Sequence, residues 1–190
     1  MRILYILVFA FLAYTISAQR PIIKFKNVSK KDLNKAECSF YPDAHAMILG
    51  RYGKLHFEYD DHRGWQYDMT IVERRKIFET SDKDLGKFEI RLYEPLTGEA
   101  KEELVKFKGY TYNLIDGNKE KERVKNSAEH HERFNDYWKK IIVQMPDVQK
   151  GSVLEVEYTI KSNLINNLYT WKFQEAIPVA ASEFRFTIPE

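Results

Sequence analysis

Hydrophobic and polar residues alternate along most of the chain. Between Lys54 and Tyr59, Leu55, Phe57 and Tyr59 fall on one side, and Lys54, His56 and Glu58 on the other. Trp65, Tyr67, Met69 and Ile71 repeat the pattern, and Phe88, Ile90 and Leu92 alternate with Glu89 and Arg91. Val153 to Ile160 and Phe184 to Ile188 behave likewise. A period of two sustained in this way predicts strands with one buried and one wet face. In the Val153–Ile160 run it assigns Leu154, Val156, Tyr158 and Ile160 to the core. Val153, Glu155, Glu157 and Thr159 then face outward, with Glu155 and Glu157 as solvated carboxylates rather than an acid/base pair.

Turn signals separate the runs: Asp60 to Gly64, Pro95 to Gly98, and Lys150-Gly151. Asp116-Gly117 is the strongest hairpin signal, because a type I′ turn needs positive φ at both central residues. It predicts that a strand through Tyr110-Thr111-Tyr112 returns through Lys119 to Val124. A further half-buried strand is expected where Trp171 and Phe173 alternate with Lys172 and Gln174. Helix is scarce. Ser29 precedes Lys30-Lys31-Asp32-Leu33 as an N-cap, with Asp32 placed to accept from backbone N–H groups. Ser127 to Asp136 is expected to form another turn or two of helix, although it has no apolar stripe. The pattern predicts an all-β fold, a mainly antiparallel β-sandwich of about ten strands with one or two short helices.

The first residues follow a different rule. Met1-Arg2 supplies a positive charge, Ile3 to Ala13 carry none, and Ile16-Ser17-Ala18 ends on a small residue before Gln19. This is the order of a secretory signal peptide over residues 1–18, cut after Ala18. The apolar run from Ile3 to Ile16 is shorter than the roughly 20 residues a membrane-crossing helix needs. Residues 19–190 are then expected to be one exported β-sandwich domain, periplasmic or extracellular, with no membrane span after cleavage. Cys38 is the only cysteine, and it reads as a small core residue.

Composition narrows the function. Against 28 acidic residues stand 30 basic ones, for a net charge of +2, which excludes a polybasic nucleic-acid binder. One Cys excludes a disulfide framework, a thiolate metal cluster and a CxxC redox pair. No Gly-rich phosphate loop and no GxSxG elbow occurs, so neither a cofactor nor a nucleophilic centre is indicated.

The remaining chemistry is sparse. His130-His131, between Glu129 and Glu132, is the most metal-like cluster, but adjacent histidines diverge on a strand and the spacing is not HExxH. Asp60-Asp61-His62 falls where a turn is expected, and Asx residues there bond their own backbone. Asn27-Val28-Ser29 is a formal glycosylation sequon. Trp65 and Tyr67, beside the Asp60-Asp61 loop, are the candidates for stacking on a sugar ring or peptide, although the same spacing suits a sandwich core.

The last third carries a resemblance. Tyr137-Trp138-Lys139-Lys140 leads into an apolar strand, followed by Met145-Pro146-Asp147-Val148 and Lys150-Gly151-Ser152-Val153-Leu154-Glu155-Val156-Glu157-Tyr158. Then come Trp171-Lys172-Phe173-Gln174, Ile177-Pro178-Val179, Ser182-Glu183-Phe184 and Ile188-Pro189. The series resembles the uncharacterised DUF3857-type domain that precedes a transglutaminase-like domain in many secreted bacterial proteins. Tyr110 to Asn113 and the Asp116-Gly117 turn extend the resemblance more loosely toward Val28. It implies a non-catalytic β-sandwich, with any Cys-His-Asp site in the following domain and none in these residues. The leading expectation is an exported scaffold or recognition module whose partner is a transglutaminase-like domain in the same polypeptide. The alternatives are a free-standing glycan- or peptide-binding protein using Trp65, Tyr67, Asp60 and Asp61, and a metal-dependent enzyme at His130 and His131.

Overall fold

The computed structural model describes residues 20–125, 128–166 and 168–188. The expected signal peptide at 1–18 lies outside these residues, as do Ser127 and Pro189. Nine strands form two sheets among the described residues. They are β1 (Ala46–Asp60), β2 (Gly64–Ile77), β3 (Lys87–Tyr93), β4 (Glu102–Ile115), β5 (Asn118–Arg123), β6 (Glu129–Arg133), β7 (Trp138–Gln144), β8 (Val153–Ser162) and β9 (Ser182–Thr187). The larger sheet has the order β5-β4-β8-β2-β1-β9 and the smaller β3-β7-β6. All neighbours are antiparallel except β9, which runs parallel to β1. No helix among the described residues is long and apolar enough to cross a membrane.

The core lies where the alternation places it. Leu55 from β1, Tyr67, Met69 and Ile71 from β2, and Leu154, Val156, Tyr158 and Ile160 from β8 face Phe88, Ile90 and Leu92 of β3 and Ile141 and Val143 of β7. The Asp116-Gly117 turn joins β4 to β5 with φ of 49° and 77°, as a type I′ hairpin requires. A short helix, α1 (Lys30–Leu33), begins in a capping box: Ser29 accepts from the Asp32 N–H, and the Asp32 carboxylate accepts from the Ser29 N–H. Cys38 is buried with Ala44, Met47 and Phe78.

Three expectations are corrected. Residues 129–133 form strand β6 rather than helix, because pairing with β7 across Glu129–Val143 to Arg133–Lys139 supplies partners that a stripe-less helix could not find. Residues 171–174 form no strand; Trp171 turns inward from a loop, and Phe173 is exposed. The outward face of β8 is not wet. Residues 22–33 cross the outer face of the large sheet, so Val28 and Leu33 pack with Tyr110, Tyr112 and Val153, and Glu155 is fully buried.

That covering segment is fastened by charge. Glu155 accepts from Arg74 Nε at 3.1 Å, Arg74 Nη2 at 2.7 Å and the Lys26 N–H at 2.7 Å. Arg74 also reaches the Lys24 carbonyl and the Asp32 carboxylate. Next to it, Lys76 Nζ donates to the Leu33 carbonyl at 2.6 Å and the Gly151 carbonyl at 2.5 Å. Burial pushes the Lys76 amine down to about 8, against the pull of Asp32. Between about pH 8 and 10 the unfolded chain therefore holds a proton that the native protein has shed, so stability rises with pH across this window. Above it the trend reverses. Burial raises Tyr67 to about 12 and Tyr112 further, so the unfolded state loses those protons first. Urea midpoints at pH 8, 9 and 10 check the rise, which should vanish in Lys76→Met.

Candidate functional site

The residues singled out from the sequence separate in space. At the tip of the β1–β2 hairpin, Asp60 Oδ1 accepts from the His62 N–H at 2.9 Å and the Arg63 N–H at 2.8 Å, and Gly64 closes the turn at φ 72°. These two backbone bonds hold the Asp60 carboxyl below its usual range. The carboxylate is thus occupied by its own turn, and Asp61 is exposed beside it. Tyr67 is 0% exposed, and its hydroxyl lies 3.4 Å from Glu102 in the core. It cannot serve with Trp65 as a platform. Trp65 is 43% exposed and meets Tyr59 edge-on at 5.4 Å, so Tyr59 is the aromatic partner at the surface. A separate polar hollow of about 390 Å³ is lined by His62, Arg63, Gln66, Lys101 and Lys161 among others, and neither Tyr59 nor Trp65 borders it.

His130 and His131 are exposed on β6, at the edge of the small sheet. His131 Nε2 lies 3.6 Å from Glu129, and no set of three or more ligating side chains is gathered among the described residues. Changing both histidines to Ala should leave the unfolding free energy within about 0.5 kcal/mol of wild type, as at other exposed surface positions. A loss of several times that, or a zinc-dependent midpoint in the wild type, would contradict this placement.

Where the two sheets diverge, a cleft opens over the inner face of β1, β2 and β8. Two contiguous cavities of about 310 and 330 Å³ share Arg51, Tyr158, Tyr169 and Glu175 in their walls. Glu73 lies between Arg51 (3.5 Å) and Arg75 (2.9 Å). Burial opposes the charge on Arg51, but Glu73 leads the neighbours that outweigh it and raise its pKa. Arg51 also pairs with Glu175 and lies 4.6 Å over the Trp171 ring. The loop 168–178 is held across the cleft by these contacts. Arg51, Glu73, Arg75 and Glu175 pair with one another there, and Lys87, Glu89, Arg91 and Lys172 also line the walls.

The sheet edges differ sharply. The exposed edge β5 reads Asn-Lys-Glu-Lys-Glu-Arg, and β6 reads Glu-His-His-Glu-Arg. Runs of charge discourage the addition of a further strand. At the opposite edge of the large sheet, β9 reads Ser-Glu-Phe-Arg-Phe-Thr. Phe184 stacks on Trp171 at 5.3 Å and on Phe186 at 6.4 Å, and Trp171 Nε1 donates to Ser182. Register carries the strip across the sheet: Leu55 lies opposite Phe186 and also Met69, Phe57 opposite Tyr67, and Tyr59 opposite Trp65. Phe186 is 60% exposed and Ile188 68%. Sequence reasoning missed this edge because neither its position nor its parallel pairing has a local signal.

The fold defines an all-β module of two sheets, and a family model matches part of it. The family model of a domain of unknown function with a solved structure, DUF3857, matches residues 102–190. The matched stretch begins at the start of β4 and takes in β5 to β9. It does not close its own sheet, since β8 pairs with β2 and β9 with β1, both ahead of it. No curated protein matches the chain. Among solved structures, a candidate protease from Parabacteroides distasonis is similar at 13% identity and TM-score 0.48, over 63% of this chain and 23% of that one. A variant of an M1 zinc metallopeptidase from Deinococcus radiodurans is similar at 9% and 0.31, over 68% and 23%. Aminopeptidase A from Legionella pneumophila is similar at 7% and 0.30, over 65% and 11%. The chain thus spans less than a quarter of each of these proteins.

Proposed function

We propose that the chain is an exported, non-catalytic recognition or scaffold module that docks through the β9 edge, in a longer polypeptide with a transglutaminase-like domain. The observation that supports this reading is the contrast between edges. Among the described residues β9 has no strand on its outer side, and Phe186 and Ile188 are exposed beside it, while β5 and β6 present charge. The buried charged groups support it as well. Glu155, Arg74, Glu73 and Arg51 are engaged in fastening segments 22–33 and 168–178. An immunoblot of the fractionated producing cells tests the reading. It expects a band in the exported fraction well above the 22.6 kDa of this chain. A band of that size or below confined to the cytosol would contradict it. A small exported band would favour the second reading, a free-standing glycan- or peptide-binding protein using the exposed Tyr59–Trp65 pair.

A further inference from the structure

The geometry points to a second copy of this chain as the occupant of the β9 edge, joined by antiparallel pairing of β9 with β9 about Phe184. This rests on the reading of β9 as a docking edge and names what docks. In a strand, each residue directs its N–H and C=O to the same side and its neighbours direct theirs to the other. The Arg51 N–H donates to the Ala181 carbonyl at 2.9 Å. Ala181, Glu183, Arg185 and Thr187 therefore turn toward β1, and Ser182, Phe184 and Phe186 turn their backbone groups outward.

A two-fold axis at Phe184 sets Phe184 against Phe184 and Ser182 against Phe186 of the second copy. Every one of these is an outward residue, so all can exchange the paired hydrogen bonds of an antiparallel ladder. The same register sets Glu183 opposite Arg185 in both directions, at non-hydrogen-bonded positions, where side chains approach most closely. Within each copy Glu183 already pairs with Arg185 at 2.5 Å, Glu183 also accepts from the Ile22 N–H, and Arg185 donates to the Arg20 carbonyl. The register therefore joins two internal pairs into a cluster of four alternating charges in which no like charges stand opposite. Shifting the register by two residues in either direction breaks this match, placing Glu183 opposite Glu183 or Arg185 opposite Arg185. On the inner face, Phe186 of one copy comes over Ser182 and the Trp171 ring bonded to it in the other, covering rings that the single copy leaves exposed.

Sedimentation of the full chain and of Phe186→Pro tests the pairing. Proline at 186 removes an outward N–H and an exposed side chain that stacks on Phe184, so the thermal midpoint should stay within a few degrees of wild type. The wild type is expected at twice the single-chain mass at micromolar concentration, and the variant at the single-chain mass with at least tenfold weaker association. A wild type that is monomeric at that concentration, or a variant that still dimerises as well as the wild type, overturns the proposal. A second measurement does not depend on the proline. In Glu183→Cys/Arg185→Cys, oxidation should give a covalent dimer on a denaturing gel, since Cys38 is buried. Single chains only would overturn the self-pairing. A monomer whose β9 amides are nonetheless protected in the native polypeptide would overturn self-pairing alone and leave the docking reading standing.

Discussion

Replacing Glu155 by Ala should lower the unfolding free energy by about 3–5 kcal/mol, the range for removing one partner of a buried ion pair. The size follows from what remains. Arg74, itself buried, would lose two of its four hydrogen bonds to described residues, and the Lys26 N–H would lose its carboxylate acceptor. The Tyr112 hydroxyl, 3.4 Å from the same carboxylate, would be left in the same pocket. Because these groups hold residues 22–33 on the outer face, the loss should be felt first there, with Val28 and Leu33 losing their places over Tyr110 and Tyr112. Urea unfolding followed by fluorescence measures it. Replacing both Arg74 and Glu155 by Met should cost clearly less than either single change, since no buried charge is then stranded. A single-variant loss under about 1 kcal/mol would show that the carboxylate is hydrated in solution and the segment loose.

Trp171→Ala should cost about 2–4 kcal/mol, somewhat below a fully buried Trp because the ring is partly exposed. Three contacts go at once: the stack on Phe184, the hydrogen bond to Ser182, and the face on which the Arg51 guanidinium rests. The ring fits here only because Gly53 lies beneath it; a Cβ at that position would come within 2.5 Å of the ring. Trp171→Phe keeps the stack and forfeits the hydrogen bond, and should cost about 1 kcal/mol. If Trp171→Ala left β9 as protected from hydrogen exchange as before, the loop would not be what positions that edge.

Local signals in the chain account for much of this. The capping box at Ser29, the Asp116-Gly117 turn, the Asx turn at Asp60 and the inward alternation of β2, β3 and β8 depend on residues within a few positions of each other. The failures have one cause. Glu155 looks solvated on a lone strand, and its burial comes from residues 22–33, more than a hundred positions away. Trp65 and Tyr67 share a face of β2, yet Tyr67 lies in the core and Trp65 near the hairpin tip, a difference that depends on how far the second sheet extends. The His130-His131 segment becomes a strand because β7 is there to pair with it. The β9 edge was hidden for the same reason. Alternation shows that Phe184 and Phe186 share a face, but not that β1 takes one side of the strand and leaves the other open.

The central claim is that β9 works as a docking edge, and amide hydrogen exchange on the native protein tests it most directly. Protection at Phe184 and Phe186 comparable to that of Leu154 and Val156 in central β8, with fast exchange at the outward amides of β5, is the predicted result. Equally fast exchange at the outward amides of both edges would contradict it.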